Sequence, residues 1–242
     1  MGEWFTDWFN SSYYHLLYTH RNEEEASHFI QQLVTHLKIK PGSLITDVGC
    51  GSGRHCRALL NFDMQVTGLD LSYNSIKNAK EKSSAHIAYY EHDMRKALPV
   101  QNQDVVLSLF TSFGYFDSPD ESLSVLKNIH TSLKNNGILL LDYLNAVPLY
   151  NMPEQTTNSN CGGVEFSITK HSTQSHIFKT ISINDQGKKC SHTEKVALYS
   201  LPHLSTFLHQ TGFQIIGTFG DYMFNTYQPH SSPRLIIHAA KK

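Results

Sequence analysis

The 242-residue chain is 40% apolar and 17% charged, the balance of one generous globular domain or of a domain with a sizeable insertion. Its 20 Lys and Arg against 21 Asp and Glu leave a net charge of −1, and without a basic excess no nucleic-acid partner is expected. Four cysteines without CxxC spacing, no basic-then-apolar leader and no run near ~20 apolar residues point to a cytoplasmic chain with reduced thiols and no membrane association.

In chain order, residues 4–18 hold Trp4, Phe5, Trp8, Phe9, Tyr13, Tyr14 and Tyr18, a dense aromatic segment that covers a core edge or lies across a pocket mouth. Asn22 with Glu25 three residues on is a capping-box signature, and Ala26, Phe29, Ile30, Leu33 and Leu37 follow at helical spacing. Pro41-Gly42 ends that helix. Leu44 to Val48 reads as a buried strand, followed after a glycine-rich corner by a helix with Cys56, Leu59 and Leu60. Met64 to Leu69 is a second strand ending at Asp70, Leu71 to Lys82 a helix, and Ala85 to Tyr90 a third strand followed by His92-Asp93-Met94-Arg95. Asp104 to Phe110 is a fourth strand. Ser118, Pro119 and Glu121 start a helix that Asn136-Gly137 is expected to stop, before a fifth strand from Ile138 to Leu141.

Apolar strands alternating with helices imply a doubly wound α/β core with a mostly parallel sheet covered on both faces. After Asn145 the period changes to two. Val164, Phe166 and Ile168 alternate with polar residues, as do Ile177, Lys179, Ile181 and Ile183, then Cys190, His192, Glu194, Val196 and Leu198. These are antiparallel strands with a turn at Asp185-Gln186-Gly187. Ser200 caps a last helix carrying Leu204, Phe207 and Leu208, and Phe213 to Phe219 and Leu235 to Ala239 are final strands, making seven in the main sheet. The expected organisation is an aromatic and helical lid over 1–40, the α/β core over 41–149, an antiparallel insertion over 150–200, and a helix and strands over 201–242 completing the core. The insertion reads as a lid, a substrate lobe or the contact of a homodimer.

The corner is DVGCGSGRH, residues 47–55. Alternating glycines permit positive φ and close approach of a ligand, and a helix opening there presents free N–H groups. The dinucleotide fingerprint G-x-G-x-x-G would place its third glycine at position 54, which is Arg54; the spacing here is G-x-G-x-G. Asp47, Asp70 and Asp93 all fall at or near the carboxyl ends of strands, where open α/β sheets bind ligands. Three carboxylates suit a ligand with hydroxyls, an exocyclic amine and a positive centre better than a pyrophosphate.

DVGCGSGRH, LDLS (69–72), HDMR (92–95) and LFTSFGYF (109–116) together resemble the cofactor motifs of class I S-adenosylmethionine-dependent methyltransferases, a Rossmann-like fold. The similarity extends to small-molecule N-methyltransferases, the deoxyamino-sugar N,N-dimethyltransferases and the glycine N-methyltransferase-like group, which share the Tyr14-to-Tyr18 spacing. The resemblance implies that Gly49, Cys50, Gly51 and Gly53 form the turn beside the methionine moiety, with the Cys50 thiol packed rather than reactive. Asp47 orders that turn and the amino group, and Arg21 faces the methionyl carboxylate. Asp70 holds the ribose hydroxyls with Leu71 against the adenine. Asp93 accepts the adenine amino group beside Met94, and Phe110 floors the site near the sulfonium. Tyr14 and Tyr115 are the candidate catalytic residues on the substrate side, with Tyr14 also against the cofactor. The implied reaction transfers a methyl from S-adenosylmethionine to a small molecule, an amine foremost, leaving S-adenosylhomocysteine. The scattered histidines and cysteines lack metal-ligand spacing, so no metal is expected. A NAD-type oxidoreductase and a non-catalytic cofactor-binding or interaction module remain the alternatives.

Overall fold

A computed structural model describes residues 3–19 and 23–242. Arg21 and the Asn22 end of the capping signature lie outside the described residues. Two short helices, α1 (Trp4–Phe9) and α2 (Ser12–Leu17), precede α3 (Glu23–Leu37). The alternating region follows as β1 (Leu44–Val48), α4 (Arg54–Leu60), β2 (Gln65–Asp70), α5 (Tyr73–Lys82), β3 (Ile87–Glu91), β4 (Gln103–Ser108), α6 (Pro119–Ser132) and β5 (Leu133–Leu144). Next come β6 (Gln155–Cys161), β7 (Val164–Ser172), β8 (His176–Asp185) and β9 (Lys188–Ala197), then α7 (Leu201–Gln210), β10 (Phe213–Phe219) and β11 (Arg234–Lys241).

The main sheet has seven strands in the order β10-β11-β5-β4-β1-β2-β3. Strands β1 to β5 run parallel, and β11 is antiparallel to both β5 and β10. One face buries Val125, Leu126 and Ile129 of α6 with Leu204 and Leu208 of α7; the other buries Phe29, Ile30 and Leu33 of α3 with Leu59 of α4 and Ile76 of α5. Helices on both faces explain why Leu139, Leu140 and Leu141 of β5 are consecutive and all fully buried. Because β1 lies between β2 and β4, the order of strands reverses there, and the crevice at that reversal carries the glycine corner.

Local chemistry sets the helix starts. Ser118 and Glu121 form a reciprocal capping box with Pro119 as the first residue of α6. Helix α5 starts at Tyr73 rather than Leu71, because the Ser72 hydroxyl accepts the Ser75 N–H at 3.1 Å and acts as its cap. Asn136-Gly137 does not stop a helix. Helix α6 has already ended at Ser132, and the pair sits in a bulge of β5 between the Leu133–Gln103 and Ile138–Val105 pairings. Asn136 adopts φ 62° there, a left-handed conformation that Asn tolerates.

Strands β6 to β9 form a separate four-stranded antiparallel sheet. Gln186 and Gly187, at φ 50° and 92°, make the tight β8–β9 turn. Its inner face, with Val164, Phe166, Ile181 and Ile183, packs against Trp8 and Leu17 of the first two helices. Within the aromatic segment Trp8 is fully buried, while Phe5, Phe9, Tyr14 and Tyr18 line a cavity.

Candidate active site

The cavity, of about 430 Å³, opens at the carboxyl edge of the parallel strands and lies in the size range of small-molecule sites. Its floor is the glycine corner after β1. Gly49 and Cys50 donate their N–H groups to the Leu69 carbonyl at 2.7 and 3.0 Å, fastening the corner to the end of β2. Asp70 completes the tie: one carboxylate oxygen accepts the Gly51 N–H and the other the Ser72 N–H, both at 2.8 Å. Burial pushes the Asp70 carboxyl up, and those two backbone donors pull it part of the way back.

The glycines differ in purpose. A Cβ on Gly49 would stand 2.4 Å from Ser112 Cβ, and one on Gly53 would stand 2.2 Å from the Tyr89 hydroxyl. A Cβ on Gly51 would meet nothing within 4 Å, so that backbone faces open space. Gly53 is therefore a packing glycine at the start of α4 and is not on the cavity wall. Asp47 is also off the wall. Only 1% exposed, it accepts the Cys56 thiol at 3.7 Å, and its Oδ1 has no hydrogen-bond partner among the described residues. Burial pushes its carboxyl up to about 7, opposed by the Cys56 thiol and reinforced by Asp70. Burial likewise pushes the Cys50 thiol up, so it is held protonated.

Asp70, Leu71, Asp93, Met94 and Phe110 reach the cavity together with Tyr14 and Tyr115. Asp93 is held by Arg95, whose Nη2 lies 2.8 Å from Oδ2 and whose backbone N–H donates to Oδ1 at 2.9 Å. Partial burial raises the Asp93 carboxyl, but the Arg95 contacts outweigh it and leave it below the usual carboxylate range. Arg95 also binds Glu3 and Glu121, which ties the N-terminal segment to the end of β3 and the start of α6. A second tie joins the Asn10 carbonyl to the Asn74 amide at 2.8 Å.

Asp142 and Glu194 carried no signal in the motifs, and the backbone of Phe110 and Thr111 was not legible there. Phe110 and Thr111 hold φ 54° and 62°, two successive non-glycine residues in the left-handed region. Asp142, fully buried at the end of β5, holds that turn: it accepts the Phe110 N–H at 2.7 Å, the Arg234 guanidinium at 2.8 Å and the Tyr222 hydroxyl at 3.2 Å. Arg234 also donates to Thr111 Oγ1 at 2.8 Å. The Phe110 ring is stacked by Tyr222 and His55 and lies 4.3 Å beneath Arg54. Arg54 occupies the position where a dinucleotide site has its third glycine. Glu194, from β9, brings a carboxylate to the wall. Among the described residues no group of three or more His, Cys, Asp or Glu could hold a metal, and no helix is long and apolar enough to cross a membrane.

Comparison with known proteins points the same way. Residues 45–137 match the family model described as methyltransferase domain. The chain is 24% identical over 229 residues to a putative methyltransferase of Geobacillus sp. (strain WCH70), spanning 88% of this chain and 90% of that protein. It is 25% identical to a glycine/sarcosine N-methyltransferase of Aphanothece halophytica, spanning 92% and 83%. The crystal structure of an S-adenosylmethionine-dependent methyltransferase from Clostridium acetobutylicum superposes with a TM-score of 0.79 at 15% identity, covering 95% of this chain and 96% of that one. The fold, the strand-end crevice and the matched segment agree: residues 45–137 are a methyltransferase domain, and the chain has the fold of S-adenosylmethionine-dependent methyltransferases.

Proposed function

We propose that this methyltransferase acts on a small-molecule acceptor, an amine, with no nucleic acid or membrane in the reaction. The observation that carries the reading is the Gly51–Asp70 tie beside open space, opposite a wall of aromatic side chains. The N-methylating relative supports an amine as the acceptor. Cytoplasmic residence and a homodimer through the lobe, whose outer strand β6 is exposed along almost its whole length, belong to the same proposal.

The residues fit S-adenosylmethionine. Bare backbone at Gly51 leaves room for its methionine part, with Gly49 on the same wall packed against Ser112. Asp47 Oδ1, buried behind the wall and partnerless among the described residues, would reach the amino group through a water. Asp70 retains lone pairs for ribose hydroxyls beyond its two backbone donors, and Leu71 and Met94 offer apolar surface to the adenine. Asp93 is assigned to the adenine amino group, which would replace one of the four Arg95 contacts its oxygens accept. Phe110 floors the reactive end. Tyr14 and Tyr115 border the acceptor side.

When bound, the cofactor supplies a sulfonium methyl: the acceptor lone pair forms the new bond as the S–C bond breaks, its electron pair returning to sulfur. The chain's share is orientation and exclusion of water, and alignment at attack distance lowers such barriers by up to ~7–11 kcal/mol. An amine acceptor sheds its proton to solvent beforehand, so no dedicated base is required.

Calorimetry with S-adenosylmethionine, S-adenosylhomocysteine and NAD tests the cofactor half. Both sulfur ligands should bind and NAD should not. Asp70→Ala should weaken S-adenosylhomocysteine binding roughly 10–100-fold, the loss of charge-assisted hydrogen bonds. An unchanged affinity removes the ribose assignment.

A further inference from the structure

The alternation that buries Phe166, Ile181, Ile183 and Val196 on one face of the four-stranded sheet also places Lys179 and Glu194 on that face. The two are directly opposed in the β8–β9 register, with Nζ 3.4 Å from Oε2 and each side chain 16% exposed. An inward charge pair is costly to desolvate, and apolar residues of similar volume would pack as well or better. Stability alone therefore gives no reason for it. Glu194 Oε1 accepts the Trp8 indole N–H at 2.8 Å and the Tyr18 hydroxyl at 2.9 Å. Lys179 also touches the Tyr18 hydroxyl, its ammonium 4.5 Å from the centre of that ring.

Glu194 lines the same cavity as the glycine corner and Asp70. An ionised carboxylate offers about four lone-pair positions. Trp8, Tyr18 and Lys179 occupy three, which leaves one for a ligand. Tyr18 touches the carboxylate, and the rings of Phe9, Tyr14 and Tyr115 line the same cavity, with centroids 4.9 Å apart for Tyr14–Tyr18 and 5.4 Å for Phe9–Tyr115. Aromatic faces attract cations, and a carboxylate among them completes a site for a protonatable nitrogen.

We propose that Glu194, held by Trp8, Tyr18 and Lys179, is the acceptor-recognition residue of the lobe, and that the acceptor is a small primary or secondary amine. The inference rests on the methyl-transfer reading above. After the ammonium loses one proton to solvent, the neutral amine still has an N–H for Glu194 while its lone pair is the nucleophile. A tertiary amine has no N–H to give, so methylation stops at the dimethylated nitrogen.

The test uses the full chain, loaded with S-adenosylhomocysteine, and a panel of small amines each paired with its hydroxyl isostere, beginning with ethanolamine against ethylene glycol. Binding is read by saturation-transfer NMR, and turnover separately as S-adenosylhomocysteine formed from S-adenosylmethionine. Primary and secondary amines should bind at least about tenfold more tightly than their hydroxyl isosteres, and a tertiary amine should bind without being turned over. Glu194→Gln should lose about tenfold or more of that amine binding while keeping S-adenosylhomocysteine affinity within about twofold, and Glu194→Asp should recover part of the loss. The inference is overturned if Glu194→Gln binds amines like the wild type, if hydroxyl isosteres are preferred, or if no amine in the panel binds. Should Glu194→Gln fail to fold by circular dichroism, the wild-type comparison of amine with isostere decides alone. Failure of the underlying reading looks different: the wild type would not bind S-adenosylhomocysteine at all.

Discussion

Replacing Asp142 should be the most damaging single change to the floor of the site. Its side chain is fully buried and accepts from the Phe110 backbone, Arg234 and Tyr222. Asp142→Ala leaves the Arg234 guanidinium, 20% exposed, without its carboxylate. Breaking a buried pair on one side costs roughly 3–5 kcal/mol. At roughly 2–4 °C per kcal/mol for a chain of this size, the melting temperature should fall by roughly 6–20 °C. The left-handed pair Phe110–Thr111 stores on the order of 1–3 kcal/mol per residue and loses the group that holds it, so the Phe110 ring should leave its place between Arg54 and Tyr222. Removing both charges together, Asp142→Leu with Arg234→Met, should cost less than the sum of the single changes, because neither charge is then stranded. Urea unfolding of the four proteins in the cycle measures this. A loss under about 1 kcal/mol for Asp142→Ala, or strict additivity in the cycle, would refute the argument.

Other outcomes follow from the corner and its surroundings. Gly49→Ala must take φ +81° and push Ser112 aside, so it should destabilise by roughly 2–5 kcal/mol, whereas Gly51→Ala, with no neighbour within 4 Å, should cost only the left-handed strain of about 1–2 kcal/mol; equal losses in urea unfolding would contradict the geometry. Asp47 is raised in the folded state to about 7 from 3.8, so the fold binds its proton more tightly than the unfolded chain does. Its contribution is full below about pH 4 and is lost as pH rises through about 7; Asp47→Asn should flatten that slope, and an unchanged stability–pH curve would remove the assignment. In the native protein a thiol reagent should modify the half-exposed Cys161 and Cys190 quickly and the buried Cys50 and Cys56 only at the rate of unfolding; peptide mapping of fast labelling on Cys50 would count against its packed, protonated state.

The sequence by itself determined the α/β core and the identity of the glycine corner. Both are written in near neighbours: the apolar run from Leu44 to Val48, the G-x-G-x-G spacing, and caps such as Ser118 with Glu121, whose chemistry acts within a few residues. Strand-end acids were legible as well, because Asp70 follows its strand directly. Where local signals competed, sequence misled. Asn136-Gly137 has the chemistry of a helix stop, but pairing with β4 took it into a strand bulge. Asp47 precedes the corner in sequence, and its side chain sits behind the cavity wall against Cys56, a placement that sequence order does not give.

Only the tertiary structure joined residues far apart in the chain. Asp142 and Arg234 hold Phe110, and Glu194 meets Trp8 at a separation of 186 residues. In the strand pattern Lys179 and Glu194 were visible merely as charges at positions where apolar residues alternate. Their opposition across β8 and β9, and the helices that cover them, come from sheet register and packing, which no window of neighbouring residues encodes.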